Sequence, residues 1–365
     1  MNGYVHIPFC GSKCGYCAFY SIVETDCQLL KAYPSLLGRE WRLRAGNEAR
    51  LQTLYVGGGT PSLLGPEGVR ALFAALPSCA SDAEVTMEVN PADVTPSLVA
   101  AMRVSGVTRV SIGAQSFDPD ALMRLGRRHS VEQIGEAVDC FRRGGFENIS
   151  LDLIACIPGV SRLQFLETLE QAIALEPDHL SVYPLSIEPG TRFAKAVKTG
   201  QLVPVDDDAG LDTVAEVESV LREAGYARYE ISNYARPGFE SRHNRAVWRG
   251  EDFVGVGPSA ASREGLHRRT NAADVQVWQA ALEAEQLPPA EEETLTPAED
   301  ERERFVMRLR LAEGLRVDPS TALGRERLSI CLRLERLGLL QVLPDGAVSL
   351  TARGREVADA VMAEF

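Results

Sequence analysis

Tyr4-Val-His-Ile-Pro-Phe-Cys10-Gly-Ser-Lys-Cys14-Gly-Tyr-Cys17 is the stretch on which the reading of this chain turns. Tyr4–Ile7 has the composition of a short strand, and three cysteines follow at once in a C-x3-C-x2-C run. A strand that ends in a loop of chemistry-bearing residues is how a β/α fold begins when its site lies at the C-terminal ends of parallel strands. The chain then repeats the pattern. Candidate strands at Thr53–Val56, Val85–Val89, Arg109–Ile112, Ile149–Ile154 and Leu180–Leu185 alternate with amphipathic stretches at Val69–Leu76, Pro96–Val104, Val131–Arg143 and Leu163–Leu175. Pro66 suits a first helical turn, and Gly106 and Gly144–Gly145 suit helix ends. Six such units predict an α/β chain built on an open, partial (β/α)6 barrel. The polar motifs fall where that fold would use them. The cysteines follow the first strand, Gly57–Pro61 the second and Glu88–Pro91 the third; Gln115 follows the fourth, and Asp152 lies in the fifth.

The barrel pattern is expected to occupy residues 1–205. Residues 206–287 follow as a mixed α/β extension, with a long helix from Asp206–Asp208 to about Ala224, then Tyr229–Tyr234, His243–Trp248 and Phe253–Ser259. Residues 288–301, rich in Pro, Glu and Thr, are expected to be a linker. Residues 302–365 suggest helices and a hairpin turning at Pro344-Asp345-Gly346, a small winged-helix-like domain.

The 365 residues are 45% hydrophobic and 24% charged, an ordinary globular balance. Lys and Arg number 38 against 51 Asp and Glu, a net charge of −13. That sign argues against a nucleic-acid backbone as partner, so the C-terminal domain is expected to be a packing module. The eight cysteines are too few and too unevenly spread for a disulfide scaffold. With no basic-then-apolar leader and no apolar run near the ~18–20 residues of a membrane span, a cytoplasmic protein is expected.

Thiolates suit iron–sulfur clusters and zinc. A structural zinc usually takes four protein ligands, and His6 or Cys27 would have to complete such a site. A four-iron cluster on three thiolates instead keeps one iron open, and that iron can take the amino and carboxylate groups of S-adenosylmethionine (SAM). In Gly57-Gly58-Gly59-Thr60-Pro61, successive glycines let backbone approach a ligand, or simply make a tight turn.

The C-x3-C-x2-C run resembles the signature of the radical SAM superfamily, and Tyr4–Cys10 narrows the likeness to relatives of oxygen-independent coproporphyrinogen III oxidase. The resemblance spans nearly the whole chain. It implies a 4Fe-4S cluster on Cys10, Cys14 and Cys17, with Tyr4, Gly58 and Glu88 lining the cluster-bound SAM. By the same resemblance Tyr16, Gly59, Thr60, Gln115, Arg127 and Asp152 match positions that hold a second SAM in the oxidase. Without it, Glu88 is a solvated strand-end carboxylate and Arg127 an ion-pair partner of a barrel carboxylate.

Leu180–Thr191, Glu230-Ile-Ser-Asn-Tyr-Ala-Arg-Pro-Gly238 and His243-Asn-Arg-Ala-Val-Trp248 look like the HemW branch of this family, the haem chaperones. There the last motif usually ends Tyr-Trp and is linked to haem, which implies haem as cargo, His243 as its ligand and Trp248 stacked on the macrocycle. Alone, His243 is a hydrogen-bonded structural histidine. The oxidase places a further cysteine two residues beyond the third; here that residue is Phe19. The chain also starts nine residues before Cys10, where the oxidase carries an extension. The branch implies delivery of haem to respiratory haem proteins, with any membrane contact made through those partners. The enzymatic alternative is radical oxidative decarboxylation of coproporphyrinogen III propionates to vinyls. No catalytic residue is assigned, and the pattern does not fix an oligomeric state. The sequence departs from the branch at Val247 (usually Tyr), at Ala155-Cys156 (commonly Tyr-Gly) and at Ala261 (often His). Cys156 is a small buried hydrophobe or a reactive thiol; Cys27, Cys79, Cys140 and Cys331 are expected to be structural.

Overall fold

A computed structural model describes residues 1–23, 27–46, 50–343 and 346–365. Six parallel strands form the centre: β1 (Asn2–Ile7), β2 (Leu51–Gly58), β3 (Cys79–Val89), β4 (Arg109–Gln115), β5 (Ile149–Ala155) and β6 (His179–Pro184). Successive side chains on each strand point to opposite faces. Val5, Leu54, Val56, Val85, Met87, Val110, Leu151 and Leu180 are buried in the main apolar core. The alternate positions carry Tyr4, His6, Tyr55, Glu88, Arg109, Ser111, Asp152 and Ser181. Parallel sheets buried on both faces are normally apolar on both. The polar set on one face of these strands therefore marks the barrel interior as the site.

The crossovers hold helices α1 (Cys27–Ala45), α2 (Gly65–Ala75), α3 (Pro96–Val104), α4 (Pro119–Leu125), α5 (Val131–Arg143) and α6 (Arg162–Ala174). Thr95 and Asp118 cap α3 and α4 by accepting from backbone N–H groups, and capping boxes open α5 and α6 at Ser130 and Ser161. Helix α1 carries Pro34 in its interior, so its sequence lacks a clean helical signal.

The extension is not a separate layer. Beyond α7 (Arg192–Lys198) and α8 (Asp207–Glu223), its strands complete the barrel sheet at both edges. On one side β7 (Ala227–Arg228) and β8 (Asn233–Ala235) extend β6 in antiparallel fashion. On the other, β9 (Phe253–Val256) adds parallel to β1, followed by β10 (Ala261–Glu264), β11 (His267–Asn271) and β12 (Ala290–Thr294). Among the described residues this makes one twelve-stranded sheet, so position 205 does not divide it.

The expected linker at 288–301 is corrected. Residues 290–294 form edge strand β12, and Pro297 opens helix α11 (Pro297–Leu309). The glutamates that suggested a solvated linker pair across the strand, Arg268 with Glu293 and Arg269 with Glu292. Between the two flanks, α9 (Arg242–Trp248) plugs the barrel floor. Glu84 accepts from the backbone N–H groups of Arg242 and His243 at 2.9 Å each, opposite the positive end of that helix. Helix α10 (Val275–Glu283) packs on α1 through Glu40. This carboxylate is fully buried and accepts from the Gly257 N–H at 2.8 Å, Trp278 Nε1 at 2.7 Å and Asn271 Nδ2 at 2.5 Å.

The C-terminal domain comprises α11, α12 (Ala322–Arg336), the antiparallel pair β13 (Leu340–Val342) and β14 (Val348–Leu350), and two short helices over 352–362. It has its own core around Phe305, Leu309, Cys331, Leu334 and Val361. The turn residues Pro344 and Asp345 lie outside the described residues.

Candidate functional site at the barrel mouth

The β1 strand delivers the cysteine loop to the C-terminal rim of the barrel. There Cys10, Cys14 and Cys17 line a cavity of about 700 Å3 together with Tyr16, Gly58, Gly59, Thr60, Glu88, Gln115, Arg127 and Asp152. One residue expected there does not line it. Tyr4 lies behind the wall, its hydroxyl 2.9 Å from His6 Nδ1. His6 Nε2 is 2.9 Å from the Tyr20 carbonyl. That contact requires Nε2–H to donate, so Nδ1 accepts from Tyr4.

The glycine run is demanded by crowding. A Cβ on Gly57 would stand 2.8 Å from the Glu88 carboxyl carbon, and one on Gly59 would stand 2.7 Å from the Phe9 carbonyl oxygen. Gly58 has φ +112, and its N–H donates to Glu88 Oε2 at 3.1 Å. Glu88 also accepts from the Tyr55 hydroxyl at 2.8 Å. Burial pushes its carboxyl up to about 7, against the opposing pull of the Tyr55 hydrogen bond. This carboxylate is therefore not the solvated strand-end group that composition alone suggests.

Asp152 accepts from Ser111 Oγ at 3.0 Å and from Ser150 Oγ at 3.4 Å, and burial raises its pKa. Arg127 does not form the ion pair weighed for it. Its Nη2 donates to the Gly113 carbonyl at 2.8 Å, its Nη1 lies 3.8 Å from Cys14 Sγ, and its buried Nε has no partner. Gln115 adopts the left-handed conformation with φ +68, a strained position for a non-glycine residue, at the rim of the cavity.

The thiol set fits a cluster better than a single ion. Cys14 Sγ lies 3.9 Å from the Gly126 carbonyl, and Thr60 Oγ1 lies 3.6 Å from Cys10 Sγ. Among the described residues no three His, Cys, Asp or Glu side chains converge as ligands of one ion must. A four-iron cluster places each thiolate on a different iron and so needs no such convergence. Both ring nitrogens of His6 are engaged, which removes it as a fourth zinc ligand. The orphaned donor on Arg127, beside the thiols, leaves one charged hydrogen bond for a bound ligand.

Arg109, Ser111, Ser181, Tyr183 and Asn244 also line the cavity; none was named as a site residue, although Ser181, Tyr183 and Asn244 fall within motifs quoted above. The signal was present in the strands: Arg109, Ser111, Gly113 and Gln115 alternate along one face of β4. Asn244 stands in the haem-linked motif, but its place at this cavity is not readable there, because α9 reaches the barrel only through tertiary packing.

The haem-linked pair is not brought together on one open face. His243 is buried in the barrel floor, its Nδ1 2.9 Å from Thr53 Oγ1 and its ring centroid 5.3 Å from that of Tyr55. Burial and the nearby Arg109 charge hold its pKa down at about 4, so it is neutral. Trp248, at the far end of α9, has one ring face covered by the Arg310 guanidinium at 4.2 Å. In this structure neither ring is placed to receive a macrocycle.

Comparison with known proteins follows the same lines. The sequence matches the Radical SAM superfamily over residues 4–172. It is 38% identical over 368 residues to heme chaperone HemW of Mycobacterium tuberculosis (strain ATCC 25618 / H37Rv), covering 98% of this chain and 93% of that protein. It is 39% identical over 272 residues to heme chaperone HemW of Escherichia coli (strain K12), covering 71% of this chain and 69% of that one. Among solved structures, coproporphyrinogen III oxidase (HemN) from Escherichia coli superposes with a TM-score of 0.85 at 25% identity, covering 99% of this chain and 89% of that chain.

Proposed function

Because this chain belongs to the HemW family within the radical SAM superfamily, we propose that it is a haem-handling protein. It carries a 4Fe-4S cluster on Cys10, Cys14 and Cys17, holds SAM beside it, and hands haem to respiratory haem proteins. The observation that carries this reading over porphyrinogen oxidation is Phe19. The oxidase motif calls for a further cysteine at that place; here a phenylalanine stands 70% exposed on the cavity wall. Membrane contact, where it occurs, is made through the acceptor proteins. No helix among the described residues is long and apolar enough to cross a membrane.

When bound, the cluster supplies an electron to SAM. The chain's own residues orient the ligands. Glu88 would balance the cationic groups of the cluster-bound SAM, and Arg127, with its unpaired Nε–H, would meet a carboxylate. Asp152, held by three serine hydroxyls, accepts from ribose hydroxyls or an amine.

Anaerobic reconstitution followed by haem titration tests the proposal, with a parallel assay of the reduced protein on coproporphyrinogen III. Stoichiometric haem binding without turnover is the expected outcome. Formation of protoporphyrinogen would replace the chaperone reading with the oxidase one.

A pH effect accompanies SAM binding. The Glu88 pKa is raised above its unfolded value, so the native state holds that proton too tightly, and the associated stability is lost as pH rises through about 7. The ionised form that attracts a cation dominates only above that pH. SAM affinity of the cluster-loaded protein is therefore expected to rise several-fold between about pH 6 and pH 8, by equilibrium dialysis. Glu88→Gln should flatten the profile; an unchanged slope in that variant would assign the effect to another group.

A further inference from the structure

The outer side of helix α9 meets the C-terminal domain, and two groups of that domain fill it. The planar Arg310 guanidinium lies 4.2 Å from the centre of the Trp248 ring. Three residues on, Glu313 accepts from Arg245 Nη2 at 2.7 Å and from Arg249 Nε and Nη2 at 2.9 Å each. Arg245 and Arg249 are one helical turn apart, with Trp248 between them in sequence. A flat cation thus covers an aromatic face, and a carboxylate bridges two arginines beside it.

The domain that supplies both groups is held on by polar contacts. Among the described residues its apolar core takes in one side chain from outside, that of Ile231. A space of about 880 Å3 lies in the seam, with Asp206 and Asp207 on the α8 wall and Glu356 and Asp359 on the domain wall, so the two walls carry like charge. The contacts that close the seam differ at the two ends of α11. At its start, Asp300 and Glu303 pair with Arg263 of β10, whose side chain is 4% exposed. Beyond its far end stands Glu313, with a side chain 36% exposed. The Ala312 N–H donates there to the Tyr229 carbonyl at 2.9 Å. Arg355 adds a contact to Glu218 of α8, but Arg228 stays paired with that carboxylate at 2.8 Å when Arg355 leaves. Breaking a buried pair strands a charge in a low dielectric, whereas exposed pairs are screened by water and hold weakly. The Arg263 end is therefore the pivot and the Glu313 end the one that opens.

We propose that the C-terminal domain is a hinged, self-inhibiting cover: Arg310 and Glu313 occupy the places that the ring and a propionate of haem take when the seam opens. The inference rests on the haem-handling reading above. Opening frees the Trp248 face for stacking, and releases Arg245 and Arg249 from Glu313 at the same moment. A flat ring with a carboxylate at its edge is the ligand that this freed set matches. Asn244 of the same helix lines the cluster cavity, so the covered face and that cavity share α9.

The test uses the full-length, cluster-loaded protein. It reads hydrogen exchange of the Ala312 amide, and the rate and affinity of haemin binding from the Soret band. Glu313→Gln is expected to speed exchange and haemin association at least about fivefold each. Exchange in the parent should rise with salt, and in this variant should not. Arg245→Gln combined with Arg249→Gln should speed exchange likewise, yet weaken haemin at least about tenfold at equilibrium. Glu326→Gln makes the same charge change on an exposed residue of α12 outside the seam lining, and should match the parent. Exchange unchanged in Glu313→Gln overturns the cover. Faster exchange with unchanged haemin association, or equal acceleration by Glu326→Gln, overturns the gating of haem. Full haemin affinity in the double arginine variant overturns the propionate site. Absence of haemin binding in both the parent and Glu313→Gln, with exchange responding as expected, overturns the haem-handling reading and leaves the hinge standing.

Discussion

A Cys14→Ala variant reconstituted anaerobically with iron and sulfide is expected to fall from about four irons per chain to less than about one, and to lose the visible absorbance of the cluster. The size of the effect follows from the ligand set. With three cysteines in the loop, removing one leaves two thiolates for four irons. Cys14 Sγ also lies 3.8 Å from Arg127 Nη1, so its loss removes the thiol beside that half-buried cation. Cys27→Ala gives the comparison. That thiol is exposed at the start of α1 and stands outside the loop, so its iron content should remain that of the parent. Equal iron loss in both variants would instead favour a site that Cys27 completes.

The largest expected stability effect lies away from the cluster. Glu40→Ala leaves three buried donors facing a void: the Gly257 N–H, Asn271 Nδ2 and Trp278 Nε1. The cost should be about 3–5 kcal/mol, a fall in thermal midpoint on the order of 10 °C. Burial raises the Glu40 pKa, with the three donors opposing. Its proton-linked stability is therefore present below the ordinary carboxylate range and lost as pH rises through the folded-state pKa. The parent should show that dependence in thermal melts, and Glu40→Ala should lack it. A midpoint within about 2 °C of the parent would mean that the extension does not rely on this carboxylate to hold α1.

What the sequence made legible follows from periodicity. Pro96–Val104 and Val131–Arg143 match helices α3 and α5 because apolar spacing, caps and terminal residues agree there. All six barrel strands were visible as short apolar runs; the first five extend further than their runs, and β6 (His179–Pro184) lies one residue earlier than Leu180–Leu185. β3 begins at Cys79 instead of Val85, since its exposed early residues lack strand patterning. Long-range pairing hid the rest. Nothing local in Phe253–Val256 says that it joins β1, and the Glu-rich β12 looks like a linker until Arg268 and Arg269 stand opposite. The cavity residues supplied by motifs were legible because they share loops at strand ends. The buried setting of His243 was not, because it depends on where α9 packs.

The pairing of β1 with β9 has a consequence for the order of events during synthesis. Val5 cannot meet Val256 until some 250 further residues have been made. At about 5–20 residues per second, that delay is on the order of 12–50 s. Throughout it the strand that feeds the cysteine loop has one unpaired edge, a liability for wrong association. The cysteine loop is thus made well before the last strand of its scaffold. Assembly of the proposed cluster on a complete barrel would accordingly be a late step in the life of the nascent chain.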